Sequence, residues 1–319
     1  MNSAPDTAAV EDSLGRIALV LSGGGARAAY FGAGVAAGLA DAGLRPTLLS
    51  GTSAGGLNVG LLAGGLTPSD LTDLWTGLHS RDVYRPRLDV WRLPRPAGLA
   101  RLFTGDLLAG TLDSVGWTWL LDSEPARRTL VSALGGPRVR VAPGVTVVVS
   151  AVAESTGGVV RFTNAAPRGA PEFRPVDLTV DHLLASASAP VLFPPVTIDG
   201  EAYADAGMVA NTPLAPALDY RPDTVIVVTS STGRSGGPAQ SLGDAIALVF
   251  DNVARFSVLR DYRHTASTRR SPRLVLVEPS EEFEVSGFLR FDPDVARTVI
   301  THGRQRAHHA LTAITRGRP

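Results

Sequence analysis

Short apolar runs and longer stretches rich in glycine and alanine alternate along the first third of this chain. Ile17 to Leu21 is apolar at every position and runs into Ser22-Gly23-Gly24-Gly25, the pattern of a short strand buried on both faces. Ala26 to Ala40 predicts a helix in spite of Gly32, Gly34 and Gly38, with Gly43 just past it as a C-terminal cap. A second short strand, Thr47 to Leu49, meets Gly51-Thr52-Ser53-Ala54-Gly55-Gly56, and Leu57 to Leu66 predicts the helix leaving that turn. Twice, strand leads through glycine into helix. This alternation implies an α/β fold with a parallel sheet covered by helices, its chemistry in loops at the carboxyl ends of the strands.

Residues 1–15 carry no apolar periodicity and predict a flexible leader ahead of a single domain, 16–319. From about 75 to 136 the pattern is irregular, with Pro86, Pro94 and Pro96 among Trp91, Leu102 and Phe103, and predicts a cap-like insertion. Val145 to Ala153 is the strongest strand signal, and Gly157-Gly158 turns it into a hairpin through Phe162. Asp181 to Ser188 predicts a helix capped by Asp181 and stopped by Pro190, after which Phe193-Pro194-Pro195 forces an extended crossing to a strand around Ile198. Asp205 follows in a tight turn. Thr224 to Thr229 and Leu274 to Val277 read as strands, 241–268 as mainly helical, and 292–316 as a closing amphipathic helix.

Composition removes whole classes of chemistry. The formal net charge of zero argues against a nucleic-acid partner. With no cysteine, thiol nucleophiles, disulfides and thiolate metal sites are excluded; with arginine as the only strongly basic residue type, so are Schiff-base catalysis and the lysine of a phosphate-binding loop. No metal-ligand spacing or cofactor motif stands out. No run approaches the ~18 apolar residues of a membrane span, and the N-terminus lacks the features of a secretory signal, so the expected address is the cytoplasm.

Gly51-x-Ser53-x-Gly55 fits a nucleophile elbow, a strand-to-helix turn that lifts a serine hydroxyl into the open and aims the first helical amides, that of Ala54 included, at the same space. With 34 glycines in the chain, a helix-entry loop of no catalytic meaning is the competing reading of this pattern. Gly23, Gly24 and Gly25 could supply an oxyanion hole, since amides without side chains let a reacting group approach. Gly23-x-Gly25-x-x-Ala28 also satisfies a relaxed dinucleotide fingerprint, but the acidic residue expected at the end of the next strand is missing. Arg27 could hold an anionic head group or make a structural ion pair. None of the six histidines sits in a glycine-flanked or strand-end turn, and His302, His308 and His309 fall in the terminal helix, where solvated surface is their expected place. Asp205, in Tyr203-Ala204-Asp205-Ala206-Gly207, is either an ordinary turn aspartate or a carboxylate whose pKa rises, near Ser53, into the range of a general base.

The ordered set GGGAR, GTSAG, ASASAPVLFPPV and YADAG, with Asn211 and Pro213 shortly after, resembles the patatin-like phospholipases over about Ile17 to Pro213. The resemblance implies a three-layer α/β/α fold with a mostly parallel central sheet and a Ser–Asp dyad formed by Ser53 and Asp205. The apolar insertion near residues 91–121 could shape an acyl-chain pocket, make transient contact with a membrane surface or simply be core, while the resemblance implies a lipid or other acyl ester as substrate. It matches Gly23, Gly24 and Gly25 to the oxyanion loop and Arg27 to its basic position, and puts Pro190 and Phe193 in the segment that approaches the active site. The sequence departs from the pattern at Ala28 and Ala206, where glycine is usual. Two other readings stand beside this one: a Ser–His–Asp hydrolase using Ser53, Asp205 and His302, and a non-catalytic module that keeps the fold.

Overall fold

The computed structural model describes residues 14–87, 118–230, 272–280 and 289–315, with single helical positions between 245 and 262. In chain order these form β1 (Ile17–Leu21), α1 (Gly25–Asp41), β2 (Leu48–Thr52), α2 (Ala54–Ala63), α3 (Pro68–Gly77), α4 (Ser80–Val83), β3 (Arg85–Pro86), β4 (Leu121–Asp122) and α5 (Glu124–Leu134). There follow β5 (Thr146–Ala153), β6 (Val159–Thr163), β7 (Phe173–Pro175), α6 (Val180–Ala187), β8 (Val196–Ile198), β9 (Glu201–Asp205), α7 (Leu214–Leu218), β10 (Thr224–Val228), β11 (Arg273–Val277) and α8 (Pro293–Thr315).

One nine-stranded sheet runs β11-β10-β1-β2-β5-β6-β7, with β9 beside β5 and β8 beside β9. From β11 to β5 every pairing is parallel. Antiparallel pairs enter only where β5 meets β6 and β9, and where β8 meets β9. The uniform apolarity of β1 and β10 has a direct cause: Leu19, Leu21, Ile226 and Val228 pack under α1 and α8, while Ala18, Val20, Val225 and Val227 pack with Leu214 and Ala217 of α7 on the other face. A sheet covered on both faces buries both sets of side chains, which is why these strands show no alternation.

The structure corrects several boundaries. β2 runs on through Ser50-Gly51-Thr52, because the Ser50 and Thr52 hydroxyls donate to the carbonyls of Pro213 (3.0 Å) and Ala210 (2.8 Å), so polar residues fit inside a buried strand. α2 starts at Ala54 and ends at Ala63. Leu14, counted with the leader, is buried, its carbonyl accepting from Thr224 Oγ1 at 2.7 Å. Thr179, not Asp181, caps α6, in a reciprocal box with His182, and Asp181 instead pairs with Arg127. The ends of the expected irregular insertion are helical, in α3, α4 and α5, while Trp91, Leu102, Phe103 and most of 241–268 lie outside the described residues.

The glycines of α1 are explained by α8. A Cβ on Gly34 would overlap the Ile300 carbonyl, and one on Gly38 would stand 2.7 Å from the Arg304 carbonyl; from the other side, one on Gly303 would stand 2.5 Å from the Phe31 carbonyl. Small residues on both helices let the backbones touch, and the resulting contact outweighs the ~1 kcal/mol of helix propensity each glycine forfeits. Gly34→Ala is therefore expected to lower unfolding free energy by about 1–3 kcal/mol in urea titrations, despite alanine's better propensity. Gly77→Ala, where a Cβ meets nothing within 4 Å, serves as the control and should be neutral or mildly stabilising.

Candidate active site

Two strand ends converge on consecutive positions of β5. β2 runs parallel to β5 and its last residue, Thr52, pairs with Ser150; β9 runs antiparallel on the same neighbour and its last residue, Asp205, pairs with Ala151. Ser53, the residue after β2, is thereby carried to Asp205, and its hydroxyl donates to Asp205 Oδ2 at 2.6 Å. The short hairpin β8–β9, closed by Asp199 and Gly200 at φ 51° and 82°, fixes how far β9 reaches.

The chain at Ser53 is strained, with φ 55° and ψ −128°, a conformation that costs a non-glycine residue roughly 1–3 kcal/mol and survives only where neighbours enforce it. They do. A Cβ on Gly51 would collide with the Gly55 carbonyl, and one on Gly55 with the Leu21 carbonyl. The two flanking glycines thus let the turn close and dock on β1. Ser186 Oγ accepts the Ser53 N–H at 2.9 Å, removing that amide from the groups facing the cleft. α2 begins its own ladder with Leu57 N–H on the Ser53 carbonyl (3.0 Å), so the amides of Ala54, Gly55 and Gly56 have no acceptor within the helix.

Asp205 is held from three sides: its N–H donates to the Ser188 carbonyl (2.9 Å), its Oδ1 accepts from Gly207 N–H (2.7 Å), and its Oδ2 accepts from Ser53. Only 4% of its surface is exposed. Burial pushes its carboxyl up from 3.8 to about 7, against the opposing pull of the Ser53 and Gly207 hydrogen bonds.

The glycine loop lies across from this pair. Gly24, at φ 142°, is the N-cap of α1, and Gly25, at φ 62°, opens the helix. Gly23 departs from its expected role: its amide donates to the Asn211 carbonyl at 3.0 Å and is spent within the fold. Of the other members of the expected set, Gly25 and Ala54 line the same pocket as Ser53. Arg27 follows in the first turn of α1, half-buried.

Beside Ser53 opens an apolar pocket lined by Leu57, Trp75, Leu184, Phe193 and Phe291 together with Gly25, Ala54 and Ser188. Phe193 lines this pocket; Pro190 is exposed and is not among its lining residues. Trp75, assigned by sequence to the insertion, is a pocket wall, its Nε1 donating to Asn58 Oδ1 (2.8 Å). The sequence signals Ser186 and Ser188 only as a pair of serines at the end of an apolar helix, and nothing local marks Trp75 or Phe291 as pocket walls. His302 meets the Ser280 N–H at 3.2 Å and packs against Phe31. His182 is buried against Phe162 as part of the α6 cap.

The raised carboxyl has a thermodynamic consequence with a definite sign. Below about pH 3, Asp205 is protonated in the folded and unfolded chain alike and costs nothing; from there to about 7 only the unfolded chain releases the proton, and above that the fold must bury a charge. Asp205→Asn should therefore come closest to wild type near pH 4 and exceed its unfolding free energy increasingly toward pH 8, there by on the order of 2–4 kcal/mol. Urea titrations of both proteins across that range test it, and parallel curves would refute it.

Residues 19–218, more than half of the chain, match the family model for patatin-like phospholipases. Among solved structures, VipD from Legionella pneumophila is similar over 94% of this chain and 67% of its own, at 14% identity and a TM-score of 0.46. The type III effector protein ExoU is similar over 94% of this chain at 15% identity and a TM-score of 0.42, and this chain spans 53% of its length. No curated protein matches the sequence. On the family match, this chain belongs to the patatin-like phospholipases, a family of lipid hydrolases.

Proposed function

We propose that this protein hydrolyses carboxylic esters of lipids by a two-residue mechanism, with Ser53 as nucleophile and Asp205 as its base. The observation that carries the proposal is the 2.6 Å hydrogen bond from the Ser53 hydroxyl to a carboxyl that burial brings to about 7. A serine hydroxyl attacks a carbonyl only as its proton leaves, and a carboxylate of ordinary pKa is too weak to take it near neutral pH. At about 7 Asp205 is matched to the task.

In this mechanism Ser53 Oγ bonds to the ester carbonyl carbon while its proton passes to Asp205 Oδ2. The carbonyl oxygen becomes an oxyanion facing the amides of Gly24, Gly25 and Ala54. Collapse expels the alcohol, which takes the proton from Asp205, and leaves an acyl group on Ser53. Asp205 then draws a proton from water as water attacks that acyl group, and returns it to Ser53 Oγ as the acyl–oxygen bond breaks and the carboxylic acid is released. The apolar pocket of Leu57, Trp75, Leu184, Phe193 and Phe291 offers a place for the acyl chain. His302, engaged with Ser280 and Phe31, gives no support to a histidine base.

Ser53→Ala and Asp205→Asn should each lower kcat/KM on a soluble p-nitrophenyl ester by at least roughly 10³-fold, with Ser53→Ala abolishing fluorophosphonate labelling. His302→Ala should stay within a few-fold of wild type; a collapse there with Asp205→Asn still active would replace the dyad by a triad. Because only the ionised carboxylate accepts a proton, kcat/KM should rise with pH to a plateau above about 7. A profile flat from pH 5 to 9 would remove Asp205 from the role of base.

A further inference from the structure

Asn211 lies between the two halves of the site, and the mechanism above gives it no work. It is 1% exposed and belongs to the segment that leaves Asp205, a segment tied to β2 by Thr52 Oγ1 on the Ala210 carbonyl and Ser50 Oγ on the Pro213 carbonyl. Asn211 grips Gly23 twice. Its backbone carbonyl accepts the Gly23 N–H at 3.0 Å, and its side-chain Nδ2 donates to the Gly23 carbonyl at 3.4 Å. A Cβ on Gly23 would stand 2.5 Å from Asn211 Oδ1 and 2.9 Å from Ser53 Cβ, so the glycine is wedged between the asparagine and the nucleophile.

The Gly23 carbonyl and the Gly24 N–H belong to one planar peptide group, in which a trans bond sets them pointing in opposite directions. Fixing the carbonyl fixes the amide. Resting on the reading of Gly24 as an oxyanion donor, we infer that Asn211 is a positioning residue whose side-chain amide aims the Gly24 N–H and strengthens it as charge develops. When that N–H donates to an anion, the shared peptide polarises and its carbonyl oxygen becomes a better acceptor, so the long 3.4 Å bond from Asn211 tightens in the transition state more than in the ground state. An interaction of this kind acts on kcat and leaves substrate binding almost unchanged.

The test uses the full chain with three variants: Asn211→Asp, which keeps the shape and removes the donor; Asn211→Ala, which removes it without adding charge; and Ser53→Ala. On a soluble p-nitrophenyl ester, both Asn211 variants should lose roughly 10- to 100-fold in kcat with KM within about two-fold of wild type. Affinity for an alkyl trifluoromethyl ketone, whose serine adduct carries the oxyanion, should fall in parallel with kcat/KM, while affinity for the free fatty acid product should hold. Equal losses for ketone and fatty acid, or unchanged kcat in either variant, would overturn the inference even if thermal stability had also dropped, since general damage moves both ligands together. Wild-type turnover that survives Ser53→Ala would instead overturn the function reading, and this inference with it.

Discussion

The hydrogen bond between Ser53 and Asp205 joins residues 152 positions apart in a site that excludes most water, and most of the described structure around it serves to make that contact unavoidable. Neither partner is comfortable alone. Ser53 holds a backbone conformation that a free chain avoids, and Asp205 holds a carboxyl where ionisation is penalised. Each discomfort is imposed by a strand end locked on β5, and β5 carries both through adjacent residues, Ser150 and Ala151. Strand register is a discrete quantity: a slip of one residue would turn each side chain to the opposite face. Ladders on both sides of the pair thus set its spacing more firmly than a flexible loop could.

Crowded small residues transmit that rigidity outward. Gly51 and Gly55 allow the turn at Ser53 to press against β1, Gly56 meets Ser186, and Gly23 meets Asn211 and Ser53. At Gly51 and Gly55 a side chain would need space the backbone already occupies, and at Gly56 and Gly23 space held by the side chains of Ser186, Asn211 and Ser53, so the glycines are there for close approach more than for conformational freedom. The exceptions are Gly24 and Gly25, whose positive φ values turn the loop into α1.

The alternation of apolar strands with glycine turns made the layered α/β fold legible, since strands buried on both faces must be apolar throughout. The tight turn at Ser53 was legible too, because a strand-to-helix turn flanked by glycines constrains its immediate neighbours, and the structure brings Asp205 within hydrogen-bond reach of it. What sequence concealed was bonding at long range. Ser50 and Thr52 read as a turn because their buried hydroxyls are satisfied by a segment more than a hundred residues away. Trp75 read as part of an irregular insertion because its partner Asn58 lies on α2 and its stacking partner Phe291 near the C-terminal helix. The Gly23 amide looked available because nothing in GGGAR announces that the Asn211 carbonyl consumes it.

The two departures from the family pattern can now be weighed by geometry. A residue that must be glycine either sits at positive φ or has no room for a methyl group. Neither Ala28 nor Ala206 is among the positive-φ positions. Ala28 is buried, its methyl 3.1 Å from where a Cβ on Gly24 would stand, so it fills space beside the loop and restricts it instead of blocking it. Ala206 is wholly buried at the start of a 3₁₀ turn, its carbonyl accepting from Val209 (3.0 Å) and Ala210 (2.8 Å), while the residue that donates to Asp205 is Gly207, which the sequence keeps. The substitutions therefore fall where a methyl group adds packing, and the suspicion of a fold kept without its chemistry loses the only sequence feature that favoured it.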